Sequence, residues 1–135
     1  MSKKTFIVFG LVVVVLAVLI PWLAFRNDGD AARGAQDVPA DLKSGQSLFQ
    51  TNCGTCHTLY AAGTDGNYGP NLDELLATTG QAETPEAAEG VAERVLNAEK
   101  EGVDSNTPGR MPPAILNAEQ QKEVAEFVGA TAGAG

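Results

Sequence analysis

Cys53-Gly54-Thr55-Cys56-His57 decides how this chain is read. The stretch has the form C-x-x-C-H, the attachment pattern of a c-type haem. Two thiols separated by two residues face one edge of a porphyrin and add across its vinyl groups. The imidazole that follows then lies under the iron as proximal ligand. Other readings of the same five residues need something the sequence does not offer. A structural disulfide would close a very small loop and leave His57 without a part. A zinc site takes four ligands, usually Cys and His, and the chain holds only Cys53, Cys56 and His57 of those types. A thioredoxin-like pair needs a βαβ setting and an exposed thiol of lowered pKa, and no strand pattern flanks the motif.

Outward from the motif, the first landmark is hydrophobic. Phe6 to Phe25 is twenty residues without a charge, and about twenty is what a bilayer core requires. Lys3 and Lys4 precede the run, while Arg26 is diluted by Asp28 and Asp30. The positive-inside rule therefore sets residues 1–5 in the cytoplasm, 6–25 as a transmembrane anchor and the rest on the outer side of the cell membrane. Trp22 suits the outer interface, and Pro21 is tolerated near a helix end. The rival is a cleaved signal peptide, whose apolar region is shorter and ends at a small-residue site. Trp22-Leu23-Ala24 is a poor site of that kind, so an uncleaved anchor is favoured. Both readings export the domain.

Residues 26–39 are polar, small and aperiodic, and read as a flexible tether of roughly 20 Å r.m.s. reach. From Asp41 a helix leads into the motif, with Leu42, Gly45, Leu48 and Phe49 on one face. Gly45 costs a helix about 1 kcal/mol against Ala, which suggests a close helix crossing. Ala61 to Gly69 reads as a loop. Asn71 can cap a short helix through Leu76, with Glu74 completing a capping box and Gly80 ending it. A longer helix starts with Thr84 as cap and Pro85 in the first turn. It carries Val91, Val95 and Leu96 as its apolar stripe and stops at Gly102. Residues 103–113, with three prolines, are irregular. The last helix starts at Asn117, with Gln120 three residues on and Val124, Phe127 and Val128 on its inner face. From Gly129 the chain frays, leaving 130–135 as a disordered tail. No convincing alternating strand appears, and nothing repeats at a regular period. The fold class is all-α.

Only 6% of the 135 residues are aromatic, so a core of side chains alone is thin, and a buried porphyrin would supply missing apolar surface. Beyond residue 25 seven Lys and Arg face seventeen Asp and Glu, a balance of −10. That excess keeps an exported domain soluble. It also suits steering towards a partner with a positive patch, since Glu83, Glu86, Glu89 and Glu93 lie along one helix with Glu99 and Glu101 close behind. Both explanations stand at this point. No nucleic-acid partner is expected.

Taken together, residues 40–129 resemble a class I cytochrome c, here carried behind one transmembrane helix. The resemblance rests on C-G-T-C-H at 53–57, G-P-N-L at 69–72, R-M-P-P at 110–113, and Gly45 and Phe49 with Phe127 on the terminal helices. It implies one haem c bound covalently through Cys53 and Cys56, with His57 and Met111 as axial iron ligands. It implies that the Pro70 carbonyl holds the second nitrogen of His57, and that Leu72 packs on the porphyrin. Met111 is the only methionine besides Met1, and His57 the only histidine, so ligation by two histidines within the chain is impossible. Tyr60, Tyr68 and Arg110 are not placed by the sequence. The domain has no tryptophan, which some class I members use beside a propionate.

His/Met ligation saturates the iron and raises its potential, so the expected role is one-electron transfer rather than enzymatic turnover. The resemblance implies a quinol-oxidising cytochrome complex as donor and a terminal oxidase or reductase as acceptor, in a bacterial respiratory or photosynthetic chain. The alternative is a cytochrome subunit fixed in a larger membrane oxidoreductase. A haem-based sensor would need an output module, which is not encoded. An anchored thiol–disulfide enzyme is the remaining enzymatic option.

Overall fold

The computed structural model describes residues 3–26, 35–104 and 109–135. It is built from helices α1 (Lys3–Arg26), α2 (Lys43–Asn52), α3 (Leu72–Leu76), α4 (Pro85–Glu101) and α5 (Ala118–Thr131). Between α2 and α3, strands β1 (Thr58–Leu59) and β2 (Thr64–Asp65) pair antiparallel around a 3-10 turn at Tyr60–Ala62. The fold is thus helical as expected, except that the expected loop after the haem motif is a short hairpin.

At 1.5 Å per residue α1 is about 36 Å long, enough to cross a hydrocarbon core of about 30 Å. Its window Lys3–Trp22 has a mean hydropathy of 2.7. Its large apolar side chains from Ile7 to Trp22 stand 42–66% exposed. Water is a poor solvent for such a surface, while lipid suits it.

The core lies where α2, α4 and α5 meet the hairpin. Phe49, Leu59, Phe127, Val124 and Val128 are fully buried, and Ala61, Ala62 and Ala132 fill between them. The rings of Phe49 and Phe127 stand edge to face, 6.1 Å apart at 60°. Gly45 lets α2 and α5 approach this closely. A Cβ there would lie 2.7 Å from the Phe127 Cβ and collide with the Glu123 carbonyl. The helical glycine in the sequence therefore marks a true close crossing.

Local chemistry sets the helix ends. Thr84 Oγ1 accepts from the Ala87 amide at 3.2 Å, with Pro85 in the first turn of α4. Asn117 and Gln120 close a full capping box at α5. In α3, Asn71 Oδ1 accepts from the Asp73 amide at 3.0 Å, while Glu74 faces solvent instead of completing a box. The helix also ends at Leu76, four residues before Gly80, because an Arg94 nitrogen donates to the Leu76 carbonyl at 3.1 Å and satisfies the terminus there.

Two segments expected to be loose are docked. Of the expected tether, the Gln36 amide donates to the Ala61 carbonyl, Gln46 Nε2 donates to the Gln36 carbonyl, and Val38 is buried in the core. Residues 27–34 lie outside the described set. At the other end α5 continues through Thr131 and Ala132 is buried, so the expected frayed tail is packed. The reason is Asp73. Its Oδ1 accepts from the Gly133 amide at 2.7 Å, its Oδ2 from the Tyr60 amide at 2.8 Å, and Gln81 Nε2 donates to the Ala130 carbonyl.

Candidate functional site

The haem motif begins where α2 stops. The Cys53 and Gly54 amides both donate to the Phe49 carbonyl, ending the helix on the first cysteine. The Cys53 carbonyl then accepts from the amides of both Cys56 and His57, at 3.0 and 2.9 Å. All five residues are wound into one turn, with both thiols free and half-buried.

His57 is fixed from three sides. Its Nδ1 lies 2.9 Å from the Pro70 carbonyl. A carbonyl only accepts, so Nδ1 is the donor and Nε2 is the ring nitrogen left for a metal. Gly69 lies flat against the ring: a Cβ there would sit 2.5 Å from Cε1 and 2.8 Å from Nδ1. The Gly69 amide also donates to the Cys56 carbonyl at 2.7 Å, holding this loop to the motif. Beyond the histidine, Thr64 Oγ1 donates to the His57 carbonyl and Thr58 Oγ1 donates to the Gly66 carbonyl, both at 3.0 Å. The sequence reading missed these hydroxyls, although two β-branched threonines around Gly63 are a hairpin signal.

The other half of the site is carried by α4 and the segment after it. Gly102 ends the helix with φ 71°. Val103 and Met111 then form an antiparallel bridge, with N···O distances of 3.0 and 3.2 Å. Ala114 donates to the Glu99 carbonyl at 2.7 Å from a left-handed conformation, φ 54°. Met111, half-buried, is thereby tied to the end of α4 on both sides. Leu72 starts α3 and packs partly buried against the core. Arg110 pairs with Asp104 at 2.8 Å in solvent.

The end of α4 also holds the largest surprise. Glu99, grouped by the sequence reading with the surface acids, is only 6% exposed. The signal was present: Glu99 follows Val91 and Val95 at intervals of four, on the apolar stripe. Burial pushes its carboxyl up to about 7. Burial first, then Glu99, then Cys56, push the Cys53 thiol up to about 12. A thiol–disulfide enzyme needs its attacking thiol lowered, and Cys53 is shifted the opposite way. A half-buried pair of thiols beside a histidine with an available Nε2 fits a covalently attached haem.

Residues 42–132 match the family model described as cytochrome c. The chain belongs to the cytochrome c family, and its cofactor is haem c held by Cys53 and Cys56. Among solved structures it is similar to the c-type cytochrome SorU from Sinorhizobium meliloti. The two are 35% identical over 69% of this chain and 92% of that one, with a TM-score of 0.50. The bound haem supplies an Fe(II)/Fe(III) couple, and the domain's function is haem-based electron transfer.

Proposed function

We propose that this chain is a one-electron carrier tethered by α1 to the outer face of a bacterial cytoplasmic membrane, with His57 and Met111 as the axial ligands. The observation that supports it best is the His57–Pro70 hydrogen bond, which fixes the ring and directs Nε2 as the donor. Met111 is the natural second donor, being braced at the mouth of α4 and the only methionine on the domain side of the apolar segment. The two lysines in the first turn of α1 and its exposed apolar surface favour a membrane span with the domain outside. Met111→Ala tests the ligand set. It should abolish the weak far-red band of a Met–Fe(III) bond, lower the potential and let CO bind the reduced iron. An unchanged far-red band would refute Met111.

The donor in this reading is a quinol-oxidising cytochrome complex, and the acceptor a terminal oxidase or reductase. Glu83, Glu86, Glu89 and Glu93 are all exposed along α4 and its approach, a negative face suited to a basic patch on the partner. Transfer that slows as salt rises, and slows at low salt in a Glu86→Lys, Glu93→Lys chain, is the expected result. A rate indifferent to both leaves solubility as the explanation of the charge. The alternative, a subunit fixed in a membrane oxidoreductase, gains weight from the docking of Gln36 and Val38, which shortens the tether. Stoichiometric co-purification in mild detergent would decide for it.

A further inference from the structure

Among the described residues Glu99 is the only buried carboxylate side chain. The other buried polar side chains are satisfied: Gln121 Nε2 donates to the Leu116 carbonyl and Thr131 Oγ1 to the Phe127 carbonyl. Glu99 Oε2 has neither solvent nor a hydrogen-bond partner. Its charge acts on the Cys53 thiol, the sulfur that the attachment motif assigns to a thioether with the haem. An unpaired buried carboxylate costs several kcal/mol, and electron transfer does not require one.

The charged groups on the surrounding elements are engaged or exposed. In the motif, Cys56 is the second attachment thiol and His57 is held by Pro70. On α3, Asp73 holds two backbone amides and Glu74 is exposed. Ala114, shortly before α5, donates to the Glu99 carbonyl, so the approach to α5 lies beside Glu99. On α5 Glu119 is exposed, Lys122 pairs with Glu126, and Glu123 accepts from Ser44. After α4, Asp104 pairs with Arg110, and on α4 itself Lys100 and Glu101 are exposed. Among the described residues no cation pairs with Glu99, so burial favours its neutral, protonated form.

We infer that Glu99 is the proton-uptake site of this electron carrier, binding a solvent proton when the haem is reduced and releasing it on oxidation. The inference rests on the chain being a one-electron carrier. Reduction adds a negative charge to a site where a buried carboxylate already lacks a partner. One electron enters from the donor, and one proton from water forms the O–H bond of the Glu99 carboxyl. On oxidation the electron leaves to the acceptor and that O–H bond breaks, returning the proton to water. Linkage is reciprocal, so protonation strengthens electron binding by the same factor that reduction strengthens proton binding. Couplings of this kind are typically about 5–150-fold.

The test is a spectroelectrochemical titration of the full-length holoprotein in detergent from pH 5 to 9, with a Glu99→Gln chain beside it. The wild-type midpoint should fall as pH rises through neutrality, by an amount approaching about 59 mV for each tenfold loss of protons. Glu99→Gln should remove that part of the slope. Any slope remaining in the variant belongs to the haem propionates, and an equal slope in both chains overturns the inference. If Glu99→Gln does not take up haem, redox-difference infrared spectra of wild type labelled with carbon-13 glutamate replace it. A labelled carboxyl band must appear on reduction, and its absence refutes Glu99. Loss of the one-electron wave at every pH would instead strike the carrier reading itself, so the two failures are distinct.

Discussion

The two halves of the proposed haem site are built by opposite means. On the histidine side, backbone and side-chain hydrogen bonds converge on five consecutive residues, and glycines stand wherever space or backbone demands them. Gly69 accommodates the imidazole, and Gly63 takes the left-handed turn at φ 63°. On the methionine side, Met111 depends on one bridge to Val103, a strained Ala114 and the end of a helix that buries an unpaired acid. One half is optimised for position. The other keeps unfavourable local features, which is the common signature of a place where function competes with stability.

The largest break in that contrast comes from Gly69→Ala. The new Cβ overlaps the imidazole, so either the ring or the loop carrying Pro70 must move. Overpacking of this kind costs about 1–3 kcal/mol, and the Nδ1–Pro70 hydrogen bond is lost with it. Losing that acceptor makes His57 a poorer donor to iron, so the potential should rise as stability falls. Denaturant melts and a redox titration check both. A holoprotein with unchanged stability and potential would show that the histidine side is looser than its geometry states.

Glu99→Gln tests the other half through its pH dependence. The folded carboxyl sits at about 7 against an ordinary 4.5, so between those values the folded state binds more protons than the unfolded one. Stability therefore falls as pH rises from about 4.5, and the penalty is complete above about 7. With about 1.4 kcal/mol for each tenfold change in proton affinity, the loss reaches at most about 3–4 kcal/mol. The oxidised Glu99→Gln chain should lack this loss when denaturant midpoints are compared at pH 5 and pH 8. Parallel pH profiles for the two chains would count against an unpaired acid at this position.

What could be read from the sequence follows the same division. The C-x-x-C-H motif, the Gly45 crossing, the caps of α4 and α5 and the inner face of α5 are local patterns, legible because their chemistry lies within a few residues. The staple made by Asp73 joins positions sixty residues apart, and no local pattern announces it. Without it the Gly- and Ala-rich end of the chain reads as frayed. Gln46 and Gln50 likewise look like solvent-facing residues of α2, yet their amides hold the carbonyls of Gln36, Ala61 and Ala62. Glu99 was misread for a different reason. A carboxylate in a strongly acidic chain is assigned to the surface by composition, and only its place on the apolar stripe argued otherwise.

The smallest effect comes from exchanging the two left-handed positions. Ala114 at φ 54° pays the Cβ–carbonyl crowding that Gly63 avoids at φ 63°, worth about 1–2 kcal/mol for a residue with a side chain. Gly63→Ala should therefore destabilise by about 1 kcal/mol, less a few tenths recovered from the reduced freedom of the unfolded chain. Ala114→Gly relieves the same crowding but loosens the unfolded chain by about 0.4–1 kcal/mol. Its net gain should stay below about 1 kcal/mol, and the Ala114 amide should still donate to the Glu99 carbonyl. Paired denaturant melts at one pH resolve differences of this size if the transitions share a slope. A gain at Ala114 with a loss at Gly63 means that the methionine side retains strain it could shed. If Ala114→Gly instead destabilises by as much as Gly63→Ala, the stiffness of alanine is itself holding the Met111 segment against α4.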